Sequence, residues 1–251
     1  MRKIYIFSLI AIITSVCCAC GNIDTSLTNT KTNNTLIEDS YVLNDDEKEI
    51  YIDIRYPQLA ESTASDELIE QINYLIKETA LTILSEYSSL DNAQIKVTYD
   101  TKCNNDNFIS VLFNVNSVVG VQAYPRILCR TVTIDLQTGE QLRLNDMVKV
   151  NQEFVDTFFE IATNVRAYSE EWSKESLEAI NKSAKESTTL KALTSSDRTT
   201  NPDYCSYITD HSLGICVGVP YAIGSYAIYE AEFKDIEEYM KEILLQDKVI
   251  T

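Results

Sequence analysis

Leu68, Ile72, Leu75, Ile76, Ile83, Leu84 and Tyr87, with Thr79 among them, recur at spacings of three and four. That period puts them on one face of a helix, and such a stripe must be covered by something. Ser62, Thr63 and Ser65 offer hydroxyls to cap its start, so a helix is expected over residues 65–88. The flanking segments keep a different period. Ile50-Tyr-Ile-Asp-Ile-Arg-Tyr56 alternates as a half-buried strand does, and Pro57 is expected to end it. Beyond the helix, residues 94–100, 108–119 and 127–136 read as strands. In the middle one Ile109, Val111, Phe113 and Val115 share a face, and Ser110, Asn114 and Asn116 the other. Residues 101–107 form a turn, and Gln137-Thr-Gly-Glu140 sends the chain back into 141–144. One helix thus meets an antiparallel meander.

The second half repeats the mixture. Phe154, Val155, Phe158, Phe159, Ala162 and Val165 return to helical spacing, and residues 170–185 carry Trp172, Leu177 and Ile180 on another helix. Residues 187–203 are polar and loop-like. Residues 204–209 and 213–219 face each other as a hairpin about Asp210-His211. Residues 226–233 form a last strand, and Ile236, Tyr239, Met240 and Ile243 place a helix at the end. Strands in clusters with helices between the clusters indicate an α+β fold rather than a doubly wound parallel sheet. It is an antiparallel meander with helices packed on it, as one domain or two small intertwined subdomains.

The front of the chain reads differently. Arg2 and Lys3 precede an uncharged apolar run over residues 4–16. It is shorter than the roughly 20 residues of a membrane span and fits a secretory signal. Ala19-Cys20-Gly21-Asn22 then has the pattern of a bacterial lipoprotein cleavage box. Cleavage after Ala19 makes Cys20 the new N-terminus and the carrier of lipid, while Cys17 and Cys18 leave with the signal. The expected organisation is a signal peptide over 1–19, a Thr- and Asn-rich flexible tether over 20–40, and an extracytoplasmic domain over 41–251. The membrane is then a partner through lipid on Cys20, at the outer face of the cytoplasmic membrane of a bacterium.

Four cysteines remain: Cys103, Cys129, Cys205 and Cys216. Four allow three pairings. Cys205 and Cys216 would face each other across the hairpin, within reach of a disulfide. They serve equally well as small apolar side chains. None of these four stands in a CxxC pair, so no zinc site is read from their spacing.

Charge narrows the partners. The chain has 38 acidic and 21 basic side chains, and loss of Arg2 and Lys3 leaves a net of −19. Phosphate backbones repel such a surface, so nucleic acid is not an expected partner. A basic protein is drawn to it.

Little in the chain announces catalysis. His211 is the only histidine and sits in a turn; a zinc hydrolase needs two or three, and a Ser–His or Cys–His pair would have to use this one. Asp100-Thr-Lys-Cys-Asn-Asn-Asp106 fails as a calcium loop, with Lys102 at a ligand position and Val111 at the closing one. No phosphate-binding glycine pattern occurs. Neither a metal nor a cofactor is expected. Tyr221, Tyr226 and Tyr229 form a tyrosine-rich stretch that offers a ligand surface or fills core.

Three segments carry a family resemblance: Tyr56-Pro-Gln-Leu59 with Ile72-Asn73, then Asp135-Leu-Gln-Thr-Gly-Glu-Gln-Leu-Arg-Leu-Asn-Asp-Met147, then Val219-Pro-Tyr-Ala-Ile-Gly-Ser-Tyr-Ala227 through Phe233. Their order resembles the extracytoplasmic domain of lysozyme-sensing anti-sigma-V factors. It also resembles related domains of peptidoglycan deacetylases and lipoproteins, over about residues 51–239. Those relatives often carry a histidine where this chain has Gly120-Val-Gln-Ala-Tyr-Pro-Arg126. Only Met-Arg-Lys precedes the apolar run, so direct anti-sigma activity is not expected. The resemblance implies a non-catalytic, lipid-anchored cell-surface binding protein. Lysozyme, another basic envelope protein or a cell-wall component would be its ligand. The alternatives are a carboxylate-based cell-wall enzyme and a structural accessory of an envelope complex.

Overall fold

The computed structural model describes residues 34–62, 64–121, 124–166, 173–199 and 201–245. The signal segment, Cys20 and Trp172 lie outside them, as does most of the expected tether.

The fold is α+β, built on two sheets. The first runs in the order β1 (Thr35–Asp45), β2 (Ile50–Glu61), β3 (Ala93–Asn104), β4 (Phe108–Val119), β5 (Arg126–Asp135), β6 (Gln141–Leu142). Neighbours are antiparallel except β2 and β3, which pair in parallel from Tyr51 to Ile54. The parallel pair corrects a wholly antiparallel meander. Its reason is helix α1 (Asp66–Ser85), which carries the chain from β2 back to the same end before β3 begins. Ser65 caps α1 by accepting the Leu68 N–H. Its stripe of Ile72, Ile76, Ala80 and Ile83 buries against Ile52, Ile54, Ile95, Val111, Phe113 and Val132 of the sheet.

Two further expectations shift. β1 opens at Thr35, inside the stretch read as tether, so the ordered domain begins earlier than residue 41. Pro57 does not end β2, which continues to Glu61. Past Ile54 the strand has a ladder neighbour on one side only, so the missing proline N–H costs no sheet bond.

The second sheet orders β7 (Thr163–Asn164), β10 (Tyr226–Glu232), β9 (Ser212–Gly218) and β8 (Tyr204–Ile208), all antiparallel. Its outer face packs on helices α3 (Gln152–Ile161) and α4 (Lys174–Ser187) through Phe154, Phe158, Ile180, Ile215, Val217 and Tyr229. Short helices α2 (Leu144–Met147) and α5 (Leu190–Thr194) fill the links. The segment read as a closing helix is instead two 3-10 turns and a single turn, α6 (Glu242–Leu245). A bridge between Val148 and Met240 holds the backbone extended there, with the Lys149 N–H donating to Tyr239 O at 2.7 Å and the Lys241 N–H to Met147 O at 2.9 Å.

The inner face of the second sheet lies on β4 and β5. The polar face of β4, which looks solvent-facing in sequence, is therefore buried at Ser110 and half-buried at Asn114, while Asn116 stays exposed. Ser110 bonds Thr133 at 2.8 Å, and the Ile208 N–H donates to Ser110 Oγ at 3.2 Å. This inter-sheet layer mixes small side chains, Ser110, Cys129, Thr131, Thr133, Cys205 and Cys216, with the larger Leu112, Tyr207, Tyr226 and Ile228.

Candidate functional site

The expected hairpin forms, with Cys205 directly opposite Cys216. The Thr209 N–H donates to Ser212 O at 2.9 Å, and the Gly218 N–H to Asp203 O at 2.7 Å. Those bonds place Cys205 and Cys216 at a hydrogen-bonded position of the ladder, where facing residues stand wider apart than at the alternate position. Both side chains point inward to the first sheet. There they meet Cys129 of β5, whose Sγ lies 3.2 Å from that of Cys205. The three sulfurs lie within 4.8 Å of one another. Burial pushes the thiols of Cys129 and Cys216 up. Cys205 is held below its ordinary value because its sulfur accepts from the other two.

The three thiols form the floor of a cavity of about 410 Å³. Tyr226 is one wall. Its hydroxyl donates to Asn114 Oδ1 at 2.8 Å, and the Arg166 guanidinium sits 3.9 Å from its ring centre. Arg166 also donates to the carbonyls of Gly224 and Tyr226, which fixes the turn entering β10. At the mouth the rings of Tyr124 and Tyr221 lie 5.1 Å apart and remain 67% and 48% exposed. Arg126 and Asp203 complete the rim.

Of the three tyrosines singled out in sequence, Tyr221 and Tyr226 share this cavity and Tyr229 does not. Strand alternation separates them: Tyr226 and Ile228 face the first sheet, while Ala227, Tyr229 and Ala231 face the helices. Tyr229 is 5% exposed and donates to Asn181 Oδ1 at 2.8 Å, and burial pushes its hydroxyl up to about 12. The third ring of the surface is Tyr124, which lies in an irregular loop without a periodic signal. Cys129 was missed as a partner of the hairpin cysteines because it lies 76 residues from Cys205.

Other reactive side chains sit elsewhere. His211 is exposed at the hairpin tip and lines a separate cavity with Asp210 and Glu232, also about 410 Å³. Lys234 holds Glu232 below its ordinary value. Cys103 donates to Asp210 Oδ1 at 3.4 Å. Burial raises Asp197 to about 6. It accepts from the Ser206 N–H and hydroxyl, the Leu144 N–H, Ser196 and Thr131, and so ties β5, β8 and the start of α2 together.

No protein-family model and no curated protein matches the chain. Among solved structures, a DUF3298 family member from Bacteroides fragilis matches over 88% of this chain and 99% of its own, at a TM-score of 0.56 and 14% identity. The fold is that of a DUF3298 protein. A second such protein, from Pseudomonas aeruginosa, matches over 85% of this chain and 95% of its own, at a TM-score of 0.47 and 11% identity. In this DUF3298-like fold two of the segments that suggested an extracytoplasmic domain meet on α1. Gln71 donates to Gly139 O at 3.0 Å. Gly139 has φ +71°, and a Cβ there would sit 2.5 Å from Leu68 Cδ1, so the Asp135–Glu140 turn needs its glycine.

Proposed function

We propose that this chain is a non-catalytic binding protein of the bacterial cell surface, tethered by lipid on Cys20, that grips a basic envelope protein at the tyrosine-lipped cavity. The observation that carries this reading is the pair Tyr124 and Tyr221: two large rings left in solvent, touching each other over a cavity. Rings so placed offer wide contact area at little cost in side-chain freedom, as interface anchors do. The surplus of acids favours a cationic partner by speeding encounter. Lysozyme is the named candidate, on the anti-sigma-V resemblance. A carboxylate enzyme would need a carboxyl with a raised pKa beside a second one. Asp197 is raised, but the groups that surround it are donors.

The test is titration of the full chain with a basic lysozyme at low and moderate salt. Binding is expected to weaken as salt shortens the screening length to about 8 Å. Replacing Tyr124→Ala and Tyr221→Ala together is expected to weaken it about tenfold or more. Absence of binding at either salt removes lysozyme as the ligand. Binding untouched by the double replacement removes the cavity as the site.

A further inference from the structure

The three thiols at the cavity floor have a property that neither core filling nor ligand grip uses. They come from three strands in two sheets, and their sulfurs converge on one point. A cation bound to three coplanar thiolates at about 2.3 Å holds the sulfurs about 4.0 Å apart. Cys129 and Cys205 are closer than that, at 3.2 Å, and all three sulfurs lie within 4.8 Å of one another. Small side-chain rotations therefore suffice to open the thiol contact into a coordination triangle. We propose that Cys129, Cys205 and Cys216 form a three-sulfur site for a thiophilic cation, copper(I) foremost.

Several features favour copper(I) over zinc. Thiolate sulfur selects soft cations. Zinc asks for four ligands in a tetrahedron. Among the described residues, the cluster of cysteine, histidine and carboxylate ligand atoms ends at these three sulfurs. The chain's one histidine is at the far tip of the hairpin. Leu112, Tyr207, Tyr226 and Ile228 pack around the trio and give it largely apolar surroundings, which suit a soft cation. Arg130 donates to the Cys129 carbonyl at 3.0 Å and brings positive charge beside the anionic complex. The cavity supplies the path, since all three cysteines line it below Tyr124 and Tyr221. Coordination replaces each S–H proton by the metal, and the protons leave to solvent. The thiols must enter this reaction reduced, and a disulfide between any two would abolish the site.

The experiment uses the full chain purified anaerobically with its thiols reduced, and Cu(I) offered in competition with a chromophoric chelator. One equivalent is expected to stay with the protein and to raise its unfolding temperature. A variant carrying Cys129→Ser, Cys205→Ser and Cys216→Ser keeps every other cysteine and is expected to lose that equivalent. Cys103→Ser is expected to retain it. Because the triple variant can fail to fold, copper X-ray absorption on the unaltered protein provides a second readout. Three sulfur scatterers at about 2.3 Å are expected. Copper retained equally by a folded triple variant would overturn the proposal. So would nitrogen or oxygen scatterers, preference for zinc over copper(I), or a disulfide within the trio in protein kept from air.

Discussion

The side-chain amide of Asn73 closes both backbone hydrogen bonds of Leu59. Its Oδ1 accepts the Leu59 N–H at 2.7 Å, and its Nδ2 donates to the Leu59 carbonyl at 2.9 Å. A residue of α1 thus does for the end of β2 what a neighbouring strand does for its beginning. Leu59 is buried, so losing the amide strands a donor and an acceptor together. Asn73→Ala is expected to cost about 2–4 kcal/mol in denaturant unfolding. Asn73→Asp keeps the acceptor and should cost less at neutral pH. Equal loss in both would show that the acceptor half carries nothing.

Gly214 lies under the ring of Tyr207, where an added Cβ would meet Cζ at 2.2 Å. Tyr207 is fully buried and donates to Glu230, so its ring has little room to retreat. Gly214→Ala is expected to destabilise by about 1–3 kcal/mol or more, as overpacking does. A Tyr207→Leu background should recover part of that loss. Additive costs in the double variant would place the strain elsewhere.

Asp197 gives an inverted pH dependence. Its folded pKa, about 6, lies above the ordinary 3.8 because burial disfavours the anion. The folded state therefore binds this proton more tightly. The group's contribution is fully present below about pH 4 and is lost as pH rises through 6. At roughly 1.4 kcal/mol per pKa unit the change is about 3 kcal/mol. The difference in stability between wild type and Asp197→Asn, measured from pH 4 to 7, is expected to shift by that order. A flat difference would contradict it.

Glu86 runs the other way. Burial works against its carboxylate, but Arg130 at 2.7 Å and Arg126 outweigh burial and hold it below the ordinary value. Its contribution is present above about pH 4.5 and is lost as pH falls through the folded value. Glu86→Gln is expected to cost about 1–3 kcal/mol at pH 7, because Arg130 is left poorly paired at a nearly buried site. The cost should fade in acid. Persistence at low pH would assign it to packing.

Much of the architecture could be read from periodicity. The stripe from Leu68 to Tyr87 gave α1, and the pairing of Cys205 with Cys216 followed from the turn between them. β1 escaped because it is an edge strand lying mostly in solvent, so its residues need not alternate. The inter-sheet layer escaped for the opposite reason. Ser110, Thr131 and Thr133 look like a wet face, and only the docking of a second sheet makes them interior. The cavity depends on that docking too. Local sequence encodes each wall, but the meeting of Cys129 with the hairpin is a long-range event that no spacing announces.

Since β5 supplies one sulfur and the β8–β9 hairpin two, the distance among them works as a vernier between the layers. A slip of one residue along either strand would swing a sulfur to the opposite side of its sheet. Chemical cross-linking of that trio would therefore report, in the intact cell, whether the two halves of the molecule have locked into alignment.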